Sequence, residues 1–343
     1  MAGSVPESFF DSWMARALTP VSWVYGAAAL ARRRRLARSA LSLSRPVVSV
    51  GNITCGGTGK TPVVEMIVRD LLVRGRRPAI LSRGYGAPGP GAGNDELLVL
   101  EANLPGVPHL QGKDRREIGL RAIAEGADVL VLDDGFQHVR LHRDLDLVLI
   151  DALLPFGHGR VLPAGLLREP LEVLALADLI GITRSDQVDP ILLSTLSSYL
   201  RNRFPGIPQI LVETEPLEWV SLAGAREPAG ALRGKPVLAF CGIGNPESFR
   251  RQLLSLGIEI RRLVCFRDHR RYTDADVERL SSDARSAGAE LVVMTQKDAV
   301  KIAPSELTAG WLHLRVSSRI ARGAEAYGAA LDRVLGPSRR DAH

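Results

Sequence analysis

From residue 47 onward, short runs that are almost continuous in Val, Ile and Leu recur along the chain, and helical stretches separate them. The runs are Val47–Val50, Ala79–Ser82, Val129–Leu132, Leu147–Ile150 and Leu179–Thr183. A strand with one face in water alternates apolar and polar residues. A continuously apolar strand has both faces covered, which is the situation of a parallel sheet between layers of helices. Helical patterns fill the gaps, as at Thr61–Arg74 and Asp114–Glu125. The alternation predicts an α/β fold built on a doubly wound parallel sheet.

A connector and a second unit follow. Phe204–Pro236 is rich in Pro and Gly and contains one extended run, "QILVETEPLEWVSL", so it reads as a linker carrying some β-strand. Beyond it the pattern repeats on a smaller scale. Strands are expected at Val237–Cys241, Glu259–Phe266 and Leu291–Thr295, with helices at Glu247–Leu256, Asp274–Ser286 and Gly323–Leu335. The glycine- and proline-rich "GAPGPGAGN", residues 86–94, reads as a mobile loop.

The run at 47–50 leads into "GNITCGGTGKTP", and Thr61 onward reads as a helix with Pro62 tolerated in its first turn. Strand, glycine-rich loop and helix in that order are the context of a phosphate-binding P-loop, G-x-x-x-x-G-K-[ST]. Gly59, Lys60 and Thr61 fit, while Thr54 stands where the first glycine belongs. In such a loop Thr54, Cys55, Gly56, Gly57, Thr58 and Gly59 would wrap backbone N–H groups around phosphate oxygens. The helix N-terminus adds its partial positive charge. Lys60 would reach the β- and γ-phosphates of ATP, and the Thr61 hydroxyl would ligate Mg²⁺. The strand at 129–132 ends in Asp133 and Asp134, either of which can hold that Mg²⁺ directly or through water. Two abutting carboxylates repel, which favours a cation nearby.

A chain of 343 residues is long enough for two domains, and 45% hydrophobic with 24% charged residues is an ordinary globular balance. The net charge of +6 asks for an anionic partner: nucleic acid, a membrane surface or a phosphorylated substrate. Cys55, Cys241 and Cys265 are scattered, which argues against a disulfide framework or zinc site and fits a reducing compartment. The apolar segment Ala17–Ala31 is shorter than the roughly 20 residues that span a bilayer. Its basic cluster, Arg32–Arg35, follows it, whereas a signal peptide carries its charge in front. Trp13, Trp23 and Tyr25 suit the headgroup level. Two readings fit: an interfacial helix whose arginines meet anionic lipid, or a first helix packed on the domain with a solvated basic end.

Taken together, several stretches resemble the tetraacyldisaccharide 4'-kinase family, the lipid A 4'-kinases of Gram-negative bacteria. They are "SVGNITCGGTGKTP" (49–62), "LSRGYG" (81–86), "DDGFQH" (133–138), "GRVLPAGLLREP" (159–170), "FCGIGNPESF" (240–249), "FRDHRRY" (266–272) and "TQKDAVK" (295–301). Thr54 is itself family-like. The resemblance implies transfer of the ATP γ-phosphate, with Mg²⁺, to the 4'-hydroxyl of tetraacyldisaccharide 1-phosphate. The product is lipid IVA, made on the cytoplasmic face of the inner membrane. It implies a P-loop NTPase-like parallel sheet domain, a second, smaller α/β domain and an N-terminal apolar helix. The expected division is 1–38 interfacial helix and basic segment, 39–205 P-loop kinase domain, 206–235 linker, 236–336 smaller domain and 337–343 polar tail.

The resemblance also assigns roles. Asp95 and His269 would form the base that takes the acceptor's proton, their shares left open, with closure of the two domains assembling the pair. Read alone, Asp95 would be the N-cap of a helix beginning at Glu96. Arg83 and Arg168 are candidates for anionic groups of nucleotide or lipid, since an arginine fork suits phosphate, though each could equally be a structural ion-pair partner. Gln137 and His138 would order the Asp133–Asp134 strand end, and Lys297 and Asp298 would approach the nucleotide. No obligate protein partner is evident. A P-loop ATPase switch or metallochaperone would need neither a base from a second domain nor an apolar first helix. A basic nucleic-acid-binding protein would need a recognisable module, and no nucleic-acid partner is expected.

Overall fold

The continuous apolar runs become strands: β1 (Val47–Asn52), β2 (Pro78–Ser82), β3 (His109–Gln111), β4 (Val129–Asp133), β5 (Leu145–Asp151), β6 (Leu179–Thr183) and β7 (Gln209–Ser221). The computed structural model describes residues 13–84 and 94–336. The loop expected at 86–94 falls outside them up to residue 93, as do the tail 337–343 and the side chain of Trp13. Among the described residues, 13–84, 103–213 and 318–336 form one compact unit, and 94–102 with 214–317 form another.

In the larger unit the strands pair in the order β3-β2-β4-β1-β5-β6-β7, every pair parallel. All residues of β1, β2, β4, β5 and β6 are buried, as a sheet covered on both faces requires. The chain leaves β1 towards β2 on one side and later builds β5 against its other side. The carboxyl ends of strands at such a reversal frame a binding crevice. Helix Lys60–Val73 buries Val63, Val64, Ile67, Val68 and Leu71 and packs on β1 and β4. Each such side chain contributes roughly 1.5–3 kcal/mol on burial. Gly51 is fixed by proximity: a Cβ there would lie 2.4 Å from Phe136 Cβ.

The N-terminal helix Thr19–Ala37 docks through a narrow stripe, Ser22, Gly26 and Arg33. Ser22 Oγ accepts from the Ala164 N–H, Gly26 lies against Pro170, and Arg33 pairs with Glu169. The flank keeps Val21, Trp23, Val24 and Tyr25 exposed, Trp23 by 73%. One stripe thus packs on the domain, as the second reading expects, with Arg33 of the basic cluster buried in it, and an apolar flank stays open. No helix among the described residues is long and apolar enough to cross a membrane.

The smaller unit holds β8 (Arg226–Pro228), antiparallel to the second half of β7, then β9 (Pro236–Cys241), β10 (Glu259–Cys265), β11 (Leu291–Thr295) and β12 (Trp311–Arg322). The parallel order is β10-β9-β11-β12. Alternate residues of β9 serve opposite faces: Val237, Ala239 and Cys241 join Phe249 and Leu253, while Leu238 and Phe240 join Val277 and Leu280. Both β7 and β12 begin in one unit and end in the other.

Candidate active site

In the larger unit, β1 ends at Asn52 and the loop turns into helix Lys60–Val73 through Gly59 in the left-handed region, φ 76°. No side chain caps that helix, so its first N–H groups are left for a ligand. An anion is the natural occupant of such an end. The loop is held from two sides. Cys55 N donates to Leu166 O at 2.7 Å and Arg168 N to Ile53 O at 2.8 Å. On the other side Thr183 Oγ1 donates to Thr58 O at 2.9 Å and Arg184 Nη2 to Gly57 O at 2.8 Å, with Arg184 also paired to Asp151.

Asp133 is buried at the end of β4, and Asp134 follows it in the left-handed region at φ 56°. Asp134 faces Lys60 Nζ at 3.3 Å and Arg168 Nη1 at 2.8 Å. Burial opposes its charge, but Lys60 and Arg168 outweigh it and hold the carboxyl at about 2. Lys60 also donates to Asn52 Oδ1 at 3.3 Å. Gln137 closes the ring, donating to Asn52 O at 2.8 Å and accepting from Arg168 at 3.3 Å. Thr61, Asp133 and Asp134 are oxygen donors only, a set that suits Mg²⁺. With the uncapped helix end and Lys60, they fit a magnesium nucleotide.

Two expected residues stand apart from this ring. Arg83 is exposed just past β2 and has no ion-pair partner among the described residues. His138 is half-buried; burial, with Arg115 and Arg143 nearby, pushes it down to about 4, so it is neutral near pH 7.

The second centre lies wholly in the smaller unit. Asp95 opens helix Asp95–Asn103, and the cap is Asn94, whose Oδ1 accepts from Leu97 N at 3.0 Å. The expectation that Asp95 caps a helix from Glu96 is thereby corrected. With Asn94 in that role, the Asp95 carboxylate turns to His269 Nδ1, at 2.9 and 3.0 Å from its two oxygens. His269 sits at φ 59° between β10 and helix Asp274–Ser286. Phe266 and Tyr272 anchor the loop's ends on Phe240, and Thr273 starts the helix with a capping box. Residues 94–102 share a compact unit with 214–317.

Asp95 is 4% exposed and His269 33%. Burial opposes the Asp95 charge, but the His269 hydrogen bond and the charges of Lys297, His269 and Lys301 drive its pKa far below the usual carboxylate range. The Asp95 hydrogen bond raises His269 against its own burial. Lys301 Nζ stands 3.7 Å from Asp95, and Lys297 Nζ 2.8 Å from Glu96. Lys297 and Asp298 thus belong to the surroundings of Asp95. Asp298 is fully buried and accepts from Gly242 N, Tyr272 OH and Thr295 Oγ1.

The sequence matches the family Tetraacyldisaccharide-1-P 4'-kinase over residues 14–336. The chain belongs to that family. The tetraacyldisaccharide 4'-kinase of Anaeromyxobacter dehalogenans is 42% identical over 318 residues, spanning 86% of this chain and 83% of that protein. That of Geobacter metallireducens is 39% identical over 311 residues, spanning 85% and 89%. A crystal structure of an "apo" form of LpxK from Aquifex aeolicus in complex with ATP matches with a TM-score of 0.75 at 28% identity, covering 94% of this chain and 99% of that one. The family's ATP complex agrees with the fit of the P-loop centre to a nucleotide.

Asn52, Thr183, Arg184 and Lys301 were not foreseen. Asn52 carried a usable signal, because it ends the strand that feeds the loop. Lys301 lay within "TQKDAVK" but its reach to Asp95 did not show there, and Thr183 and Arg184 act across long chain separations with no local signature.

Proposed function

We propose that the protein transfers the γ-phosphoryl group of ATP to the 4'-hydroxyl of tetraacyldisaccharide 1-phosphate, forming lipid IVA. The Asp95–His269 pair carries this reading over a nucleotide-hydrolysing switch. An acceptor hydroxyl needs its proton removed as the phosphoryl group arrives, and such help is typically worth ~10²–10⁴ in rate.

The loop from Thr54 to Gly59 and the uncapped helix end hold the phosphates, and Lys60 moves from Asp134 to the β- and γ-phosphates. Thr61 with Asp133 or Asp134 holds Mg²⁺. When bound, that ion supplies charge neutralisation at the β- and γ-phosphate oxygens. Arg168 keeps Asp134 oriented and ionised, and Gln137 ties both to β1. Arg83, exposed and without an ion-pair partner among the described residues, is left for an anionic group of lipid or nucleotide. Asp95 and His269 act as one acid–base unit, because the Asp95 carboxylate is hydrogen-bonded to the imidazole Nδ1. Asp95 fixes the imidazole through Nδ1, and the acceptor's proton passes to the pair. The work is done at the cytoplasmic face of the inner membrane, with the N-terminal helix lying in the interface. Exposed Val21, Trp23, Val24 and Tyr25 would enter the leaflet, and the exposed Arg32, Arg34 and Arg35 would meet anionic lipid at about 1 kcal/mol each.

ADP release with and without the lipid tests the reading. With Mg²⁺-ATP alone it should be slow, and tetraacyldisaccharide 1-phosphate in detergent micelles should accelerate it. Equal rates with and without lipid would favour the hydrolysing switch.

A further inference from the structure

We propose that Arg33, on the N-terminal helix, is a positioning residue of the phosphate site, acting through Glu169 and Phe136 on the Arg168–Asp134 pair. The inference rests on the reading that this side of the larger unit holds ATP.

Arg33 Nη1 meets Glu169 Oε2 at 2.8 Å, their side chains 6% and 8% exposed. The Arg33 guanidinium also lies over the Phe136 ring, 4.3 Å from its centroid. Both partners adjoin the phosphate centre. Glu169 follows Arg168, whose Nη1 is 2.8 Å from Asp134. Phe136 follows Asp134 by two residues and packs on Gly51, beside Asn52. The segment 164–170 also touches the loop itself through Leu166 O to Cys55 N and Arg168 N to Ile53 O. Glu169 is held by the helix while its neighbour Arg168 is held by Asp134, so the backbone between them is fixed from both directions.

A buried ion pair is a weak way to gain stability compared with apolar side chains of similar volume. What this one supplies is geometry. It fixes the register of the segment that presents Arg168 and supports the loop backbone. The helix that exposes Trp23 is thereby tied, through Arg33, to the segment that presents Arg168.

The test uses the full-length protein with Mg²⁺-ATP, measuring ATP affinity by calorimetry, KM for both substrates, kcat and Tm. Arg33→Met should weaken ATP binding about tenfold, the scale seen when an outer-shell partner is lost. It should lower kcat and leave KM for the lipid acceptor unchanged. Arg33→Lys restores the charge without the planar fork and should recover part of the loss. Ser22→Ala removes the helix's bond to Ala164 and should lower Tm while leaving ATP affinity at the wild-type value. Wild-type ATP affinity in Arg33→Met overturns the proposal, as does an equal loss in Ser22→Ala. Should Arg33→Met fail to fold, Arg33→Lys must still bind ATP more weakly than Ser22→Ala. Equal affinities overturn the proposal there too. A wild-type protein that binds no ATP defeats the proposed function itself, and with it this inference.

Discussion

Asp95 and His269 shift each other's protonation in opposite directions. The hydrogen bond to Asp95 is the largest influence on His269 and raises it from its ordinary 6.5. A ring-proton NMR titration of His269 should therefore give a midpoint above 6.5, and Asp95→Asn should bring it down. A wild-type midpoint at or below 6.5, or one that Asp95→Asn leaves in place, would contradict the pairing. The stability linkage has the same origin. His269, raised, contributes stability fully below about 6.5 and loses it as pH rises through its folded pKa. Asp95, depressed, contributes above its ordinary 3.8 and loses it as pH falls through its folded pKa. The pair thus stabilises the fold most between those limits. Lys60, Thr61 and Asp134 were legible in the sequence because strand, loop and helix fix their spacing locally. The Arg33–Glu169 and Arg184–Gly57 contacts span 136 and 127 residues, and no local pattern encodes such meetings.

At the scale of elements, the helix carrying Asp95 depends on its cap. Asn94→Ala should cost about 1 kcal/mol, the usual value of an N-cap side chain. Urea unfolding checks this, and the His269 titration should keep its direction of shift in the variant. An unchanged midpoint of unfolding would mean that the cap lies elsewhere. Asn and Asp are nearly equal as caps, which is why the sequence could not tell Asn94 from Asp95. Strands β1, β2, β4, β5 and β6 were legible because burial on both faces leaves an unbroken apolar run. β12, "WLHLRVSSRIAR", was not foreseen: it is buried at Trp311, Leu312 and Leu314 but mostly half-buried or exposed beyond, so its pattern dissolves into polar residues. β3 spans only His109–Gln111, too short to carry a period. Helix Pro190–Arg203 was also missed, although Asp189 and Pro190 form a proper start, because it buries only Leu196 and Leu200.

For the whole molecule, a basic chain whose helix Thr19–Ala37 exposes Trp23 beside other apolar side chains should bind anionic bilayers. Replacing Trp23 and Val24 together by Ser should weaken sedimentation with anionic vesicles at least tenfold, since each buried side chain of this kind contributes roughly 1.5–3 kcal/mol. Unchanged sedimentation would move the contact to another surface. The central claim is the transfer itself, from a nucleotide held at the P-loop to a lipid hydroxyl. It is tested most directly by incubating the full-length protein with γ-labelled ATP, Mg²⁺ and tetraacyldisaccharide 1-phosphate, then locating the label by mass spectrometry of the lipid. The account predicts labelled phosphate on the 4' position of the distal sugar. Label found only as inorganic phosphate, with the lipid unmodified, would contradict it.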